Sequence, residues 1–105
     1  MSLQGGYGLA RYHVGVDVGK RRHHVCVLDL SDGTDCRSLS VTNDQEGLTQ
    51  LVVSLESLST NHEDFLVGVE SCFYALNLSH YLMAAGFNLV EVNTFRVSQF
   101  RKAQG

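Results

Sequence analysis

The ordered part of the sequence opens with alternating apolar and polar positions, which are typical of a β-strand. Over residues 13–18 three valines alternate with a histidine, a glycine and an aspartate, the two-residue period of a strand with one buried face. Two further apolar runs of β-favouring residues occupy 25–30 and 36–41, and the turn-forming residues 31–34 separate them. These three strands are predicted to form an antiparallel meander.

The period then becomes helical after Thr42-Asn43-Asp44, a run of residues favoured at helix N-caps. The predicted amphipathic helix carries on its apolar face Leu48, Leu51, Val52, Leu55 and Leu58. A strand-like run over 65–69 follows, and Ser71 is predicted to cap a second helix that ends at Gly86. The buried face of this second helix is predicted to carry Tyr74, Leu78, Tyr81, Leu82 and Ala85.

Strand composition returns over residues 87–92, and a further helical turn is predicted to start at Thr94. The order βββαβαβ predicts an α/β domain with a hairpin at one edge of the sheet and parallel strands beyond it. Residues 1–11 are predicted to be a flexible N-terminal segment, part of which derives from cloning. Residues 12–105 are predicted to be the folded part.

Composition indicates the size of the domain and argues against a membrane-spanning segment. With 105 residues, 44% hydrophobic and 18% charged, the chain has material for one small domain or part of a larger one. Its apolar runs stay well below the roughly 20 residues that cross a bilayer, so we expect a soluble cytoplasmic protein with no membrane partner. The three cysteines lack Cys-x-x-Cys spacing and are expected to be reduced and mostly buried.

The most informative feature is a repeated strand ending, Val-Gly-Val followed by an acid, at Asp17 and again at Glu70. If the two strands are parallel neighbours, both carboxylates lie side by side at the carboxyl edge of the sheet, where α/β folds bind ligands. Carboxylates about 4 Å apart repel by about 4 kcal/mol at an effective dielectric near 20, which a proton or a cation must offset. Mg²⁺ and Mn²⁺ prefer such oxygen ligands. The alternative is that both acids cap turns or pair with arginines.

Charge is unevenly distributed, because all 8 lysines and arginines lie outside residues 38–95. The tightest basic cluster comprises Lys20, Arg21, Arg22, His23 and His24 and directly follows Asp17. Beside a metal site this cluster would hold a phosphate backbone, although a solvated hairpin turn has the same composition. The two histidines are adjacent, so on a strand they point to opposite faces and one of them lines the site.

Five segments together resemble the N-terminal catalytic domain of the DEDD-type transposases related to the Piv DNA invertase. The resemblance covers nearly the whole chain. The matching segments are His13-Val14-Gly15-Val16-Asp17-Val18-Gly19-Lys20 with Leu28-Asp29, Asn43-Asp44-Gln45-Glu46-Gly47-Leu48, Val69-Glu70-Ser71, Ala84-Ala85-Gly86-Phe87 and Val90-Glu91-Val92-Asn93. The chain departs from the family pattern at Gly19, Cys72, Phe73 and Thr94.

The resemblance implies an RNase H-like (RuvC-like) fold in which four acids bind two Mg²⁺ ions for cleavage and transfer of DNA strands. Asp17 takes the place of the first acid and Glu70 that of the second. The third and fourth are expected downstream of Gly105, so the fold is expected to be truncated before its last helix or helices and the 105-residue chain alone to be inactive. The resemblance also implies a guide RNA, homo-oligomers of the full-length protein and association with the nucleoid on DNA.

On this interpretation the candidate nucleic-acid contacts are Lys20, Arg21, Arg22, Arg96, Arg101 and Lys102. Two alternatives stay open at this stage. The first is an actin-like phosphotransferase, because that superfamily also opens with a strand, an aspartate and a hairpin around a phosphate. The second is a non-catalytic folded remnant that only self-associates or binds nucleic acid.

Overall fold

A computed structural model of the chain describes residues 10–31 and 36–92. Its strands and helices are β1 (Tyr12–Asp17), β2 (Arg22–Asp29), β3 (Cys36–Thr42), α1 (Gln45–Glu56), β4 (Phe65–Glu70), α2 (Leu76–Ala84) and β5 (Asn88–Val92). Short 3₁₀ turns at His62–Asp64 and Phe73–Ala75 precede β4 and α2. The α/β class expected from the sequence is confirmed.

The strands form one mixed sheet of 5 strands in the order β3-β2-β1-β4-β5. The β1–β2 and β2–β3 pairs are antiparallel, whereas β1 is parallel to β4 and β4 is parallel to β5. A hairpin therefore lies at one edge, with parallel strands beyond it, as the sequence predicted. Within the described residues, no helix is long and apolar enough to cross a membrane.

One face of the sheet carries the hydrophobic core. The inward residues of β1 and β4 are almost wholly buried and form one cluster with the apolar faces of α1 and α2. Its most deeply buried members include Phe65, Val67, Leu51, Leu55, Leu78 and Leu82. Because β-strand side chains alternate, the other face carries the remaining half of each strand. This second face, which we call the open face, is exposed at Gly15, Asp17 and His24.

The helix ends agree with the capping residues predicted from the sequence, with one exception. Asp44 caps α1 by accepting from the Gly47 amide at 2.8 Å, as the cap-forming run predicted. Gly86, with φ of 98°, follows α2, and the Phe87 amide donates to the Leu82 carbonyl. The prediction for the start of the second helix was wrong. Ser71 is not its N-cap, because the 3₁₀ turn intervenes and leaves Tyr74 exposed rather than buried.

The cysteines also differ from expectation. Cys26 and Cys36 form a disulfide and both are exposed, and the free Cys72 is exposed as well. The reason is the register of the hairpin. Ser38 is the partner of Cys26, so Cys36, two residues before it, lies on the same open face with a Cα–Cα separation of 6.4 Å.

Some predictions fall on residues that the structure does not describe. The helical turn predicted from Thr94 and the candidate contacts Arg96, Arg101 and Lys102 lie outside the described residues. So does most of the predicted N-terminal segment. Its last residue, Arg11, is described and donates to the Asp29 carboxylate at 3.4 Å. The Ser31 hydroxyl and this arginine together lower the pKa of Asp29.

Replacing Gly47 with alanine is expected to destabilise the fold, because a Cβ there would overlap the backbone carbonyl oxygen of Thr42. We expect Gly47→Ala to lower the free energy of unfolding by about 1–3 kcal/mol in urea titrations. Gly15→Ala is the matched control, since nothing lies within 4 Å of the position that its new methyl group would take. The expected change for this control is within about 0.5 kcal/mol. Equal losses in both variants would contradict the close approach at Gly47.

Stability is expected to depend on the ionisation of Asp44. The Gly47 amide and the Thr42 hydroxyl lower the pKa of Asp44 from its usual 3.8. Its stabilisation is therefore complete above that value and is lost as pH falls through the lower pKa of the folded state. The difference in Tm between wild type and Asp44→Asn should shrink below pH 3.8. An equal difference in Tm at pH 7 and below pH 3.8 would contradict the role of the ionised Asp44 cap.

Candidate functional site

The register between β1 and β4 brings the two predicted acids together. Gly15 pairs with Gly68 and Val16 with Val69 in the parallel ladder. Asp17 and Glu70 occupy the next position on each strand and share the open face with the two glycines. Asp17 is exposed and Glu70 is half-buried. The two strand ends therefore meet at the carboxyl edge of the sheet, the arrangement that their matching sequences indicated.

The neighbours of these acids complete a row across the open face. His24 on β2 is the register partner of Asp17, Ser40 on β3 is that of His24, and Val92 on β5 is that of Glu70. The two histidines point to opposite faces, as predicted, and His24 is the one on the face of the acids. An imidazole and two carboxylates thus follow one another along the carboxyl edge.

His23 lies on the other face and has a structural role. Its side chain is fully buried, and Nδ1 accepts from the Gly19 amide at 3.3 Å. With Nδ1 as the acceptor, Nε2 is the other ring nitrogen, and it has no hydrogen-bond partner among the described residues. The buried His23 side chain thus anchors the turn between β1 and β2 to the core.

Neither acid is neutralised within the described ranges 10–31 and 36–92. The side chains of Asp17 and Glu70 make no ion pair or hydrogen bond there, so the arginine pairs considered from the sequence are not found in that part of the chain. In the same part of the chain, no group of three or more His, Cys, Asp or Glu side chains could hold a metal ion. The donors at this edge are thus two carboxylates, which fit Mg²⁺ or Mn²⁺ in type and fill only part of a coordination shell.

The basic turn, residues 19–22, lies beside the acids at the same edge. Lys20, Arg21 and Arg22 are all exposed. The Arg22 guanidinium donates to the Ser40 hydroxyl at 2.9 Å, which directs it toward β3. Gly19 makes the turn possible, because a Cβ there would overlap the Arg22 carbonyl oxygen.

Asn43 joins this turn to the segment after Glu70, and sequence reasoning did not single it out. Its backbone amide donates to the Arg21 carbonyl at 2.8 Å. Its side-chain Nδ2 donates to the Lys20 carbonyl at 3.2 Å and to the Tyr74 carbonyl at 3.3 Å. The sequence signal for Asn43 was only its place in a cap-forming run. Its contacts join loops that are 23 and 31 residues away along the chain.

Comparison of the sequence with known protein families identifies a family that includes the residues of this edge. A model of the IS110-type DEDD transposase family, described as "Transposase", matches residues 14–105. No curated protein matched the chain. The match includes Asp17, the basic turn and Glu70, and it gives no support to an actin-like phosphotransferase or a non-catalytic remnant. Since the match spans most of the sequence, the chain belongs to the IS110-type DEDD transposase family.

Proposed function

We propose that this chain forms part of a metal-dependent DNA transposase domain that cleaves DNA and transfers its strands. The observation that carries the proposal is the adjacent placement of Asp17 and Glu70 on the open face. Family membership implies DNA as a partner. Two carboxylates without protein partners among the described residues, at the carboxyl edge of parallel strands, are a suitable place to hold a cation against a phosphodiester.

The proposed fold is RNase H-like (RuvC-like). The mixed sheet in the order β3-β2-β1-β4-β5, with both helices joined to one core face, is compatible with it. The proposal extends to the full-length protein as a homo-oligomer that is guided by an RNA and acts in the cytoplasm on nucleoid DNA. The oligomeric state, the guide RNA and the cellular location are proposed from the resemblance in sequence.

Asp17 and Glu70 are the residues that would hold Mg²⁺ or Mn²⁺. Bound there, the metal would activate a water or hydroxyl group and stabilise the leaving oxygen of the phosphodiester. The exposed Asp17 carboxylate would bind from β1 and the half-buried Glu70 carboxylate from β4, and the rigid parallel ladder would set their spacing. Gly15 and Gly68 leave the surface behind the acids without side chains, so a DNA strand can approach the sheet closely.

The basic turn would hold the DNA backbone next to the acids. Lys20 and Arg21 are exposed and make no side-chain bond within the described residues, so both cations are available to phosphates. Arg22 is directed along β3 by Ser40 and would contact the strand farther from the acids. Phosphate contacts of this kind position DNA without reading its sequence.

Mn²⁺ is expected to bind selectively at the carboxyl edge. In an NMR titration of the 105-residue chain, amide signals near Asp17 and Glu70 should broaden before all others, because the paramagnetic ion relaxes nearby nuclei. Asp17→Asn and Glu70→Gln should each abolish this selectivity. Glu63→Gln is the matched control, since this exposed acid lies before β4 at the opposite edge. Uniform broadening, or equal effects of all three substitutions, would contradict the metal site.

Duplex DNA binding is expected to weaken as salt rises, through Lys20 and Arg21. Each phosphate contact contributes about 0.9 to the slope of log K against log salt concentration, so Lys20→Gln/Arg21→Gln should reduce the slope by about 1.8. Arg11→Gln is the control, because Arg11 pairs with Asp29 at the other end of β1. An unchanged slope in the double variant, measured by fluorescence anisotropy, would exclude the basic turn from the DNA contacts.

A further inference from the structure

The aromatic turn, by which we mean the 3₁₀ turn Phe73–Ala75, exposes an unusual amount of aromatic surface. Phe73 is 77% exposed and Tyr74 is 42% exposed, and their rings meet edge to face with centroids 5.7 Å apart. Phenylalanine is usually buried, so this exposure requires an explanation. The aromatic turn begins three residues after Glu70.

The backbone holds the aromatic turn in place. Ala75 is buried in the core, and its amide donates to the Cys72 carbonyl at 3.1 Å. The Ser71 amide donates to the Val92 carbonyl at 3.2 Å, which fixes the chain where it leaves β4. Phe73 is therefore presented to solvent by a hydrogen-bonded segment anchored in the core.

Asn43 sets the position of the aromatic turn relative to the basic turn. The two hydrogens of its side-chain amide go to the Lys20 and Tyr74 carbonyls, so the two turns meet at one nitrogen. Two carbonyl acceptors on the same side also fix the orientation of the amide, because only its nitrogen can donate to both. A cationic turn and an aromatic turn are thus held side by side at the edge that carries the acid pair.

We propose that Phe73, supported by Tyr74, stacks on an unpaired DNA base while Lys20 and Arg21 hold the neighbouring phosphates. This inference rests on the proposed function and names the form of its DNA substrate, a locally single-stranded segment. Aromatic side chains beside a cationic groove are the combination that binds single strands, because each base offers a flat face and each phosphate a charge. The cations beside Phe73 favour this occupant over an apolar protein surface, which would leave their charges unmatched.

Met83 provides a matched control for exposed apolar surface. It is 58% exposed near the C-terminal end of α2, whereas the aromatic turn lies at the start of that helix. A general hydrophobic attraction would involve Met83 as much as Phe73. Base stacking requires an aromatic ring at position 73 and no apolar side chain at position 83.

The first measurement compares the affinity of the chain for a fluorescein-labelled single-stranded oligothymidine with that for a duplex of equal length. Phe73→Leu keeps the apolar volume and removes the ring, so single-strand affinity should fall by about 5- to 100-fold. Duplex affinity should stay largely unchanged, because phosphate contacts dominate it. Met83→Ala should change neither affinity.

A second measurement detects stacking directly. The sequence contains no tryptophan, so Phe73→Trp and Met83→Trp each introduce a single indole as the fluorescent probe. Stacking on a base quenches indole emission, so the oligothymidine should quench the probe at position 73 and leave the one at position 83 unchanged. Phe73→Trp should also bind the single strand at least as tightly as wild type, which a purely structural role of Phe73 does not predict.

The possible failures are distinguishable. Salt-sensitive duplex binding by wild type, together with unchanged single-strand binding in Phe73→Leu, would overturn the stacking inference and leave the proposed function standing. If wild type binds neither form of DNA, the DNA contacts of the proposed function fail as well. A Phe73 effect on single-stranded RNA alone would overturn the assignment to DNA. Loss of self-association in Phe73→Leu, seen by sedimentation without an effect on DNA, would make the aromatic turn a protein interface.

Discussion

The parallel register between β1 and β4 is the constraint on which the rest of this structure depends. Pairing Gly15 with Gly68 and Val16 with Val69 directs the valines of both strands to the helices. The same alignment leaves the glycines and then the acids on the open face. A shift of one residue would bury the carboxylates and expose the valines, because strand side chains alternate between faces. Core packing therefore fixes the alignment of the acid pair, and the candidate site needs no separate means of positioning.

Asn43 has a comparable role for the loops at the carboxyl edge. The basic turn, the entry to α1 and the aromatic turn come from three separate parts of the chain, and their backbone carbonyls would otherwise require water. One asparagine in the N-cap run of α1 satisfies carbonyls in the other two. Asp44, next in sequence, anchors this residue by capping the helix. The arrangement of the edge thus depends on the start of α1 as much as on the strands.

Sequence patterns predicted the features that follow from periodicity and failed where tertiary contacts decide. The change between strand and helix periods was sufficient for the α/β class, and the matching strand endings predicted neighbouring positions for Asp17 and Glu70 on the condition of parallel pairing, which the structure shows. The start of α2 was not predictable from Ser71, because a cap-forming residue does not exclude an intervening 3₁₀ turn. The exposure of Tyr74 follows from that turn. The pairing of Cys26 with Cys36 depends on hairpin register, which spacing along the chain does not reveal.

Among the residues that the structure describes, the carboxyl edge holds opposite charges close together without an ion pair between them. Arg22 lies on the open face but donates to Ser40 on β3, and His24 stands between that strand and Asp17 in the row across the sheet. The acids lie at the centre of the row, where the parallel strands end. In the proposed site, this separation would leave the carboxylates available to a cation and the basic turn available to phosphates. A direct ion pair between Arg22 and an acid would satisfy both charges, so the hydrogen bond that holds Arg22 on β3 would keep it from competing with a cation for the carboxylates of the proposed site.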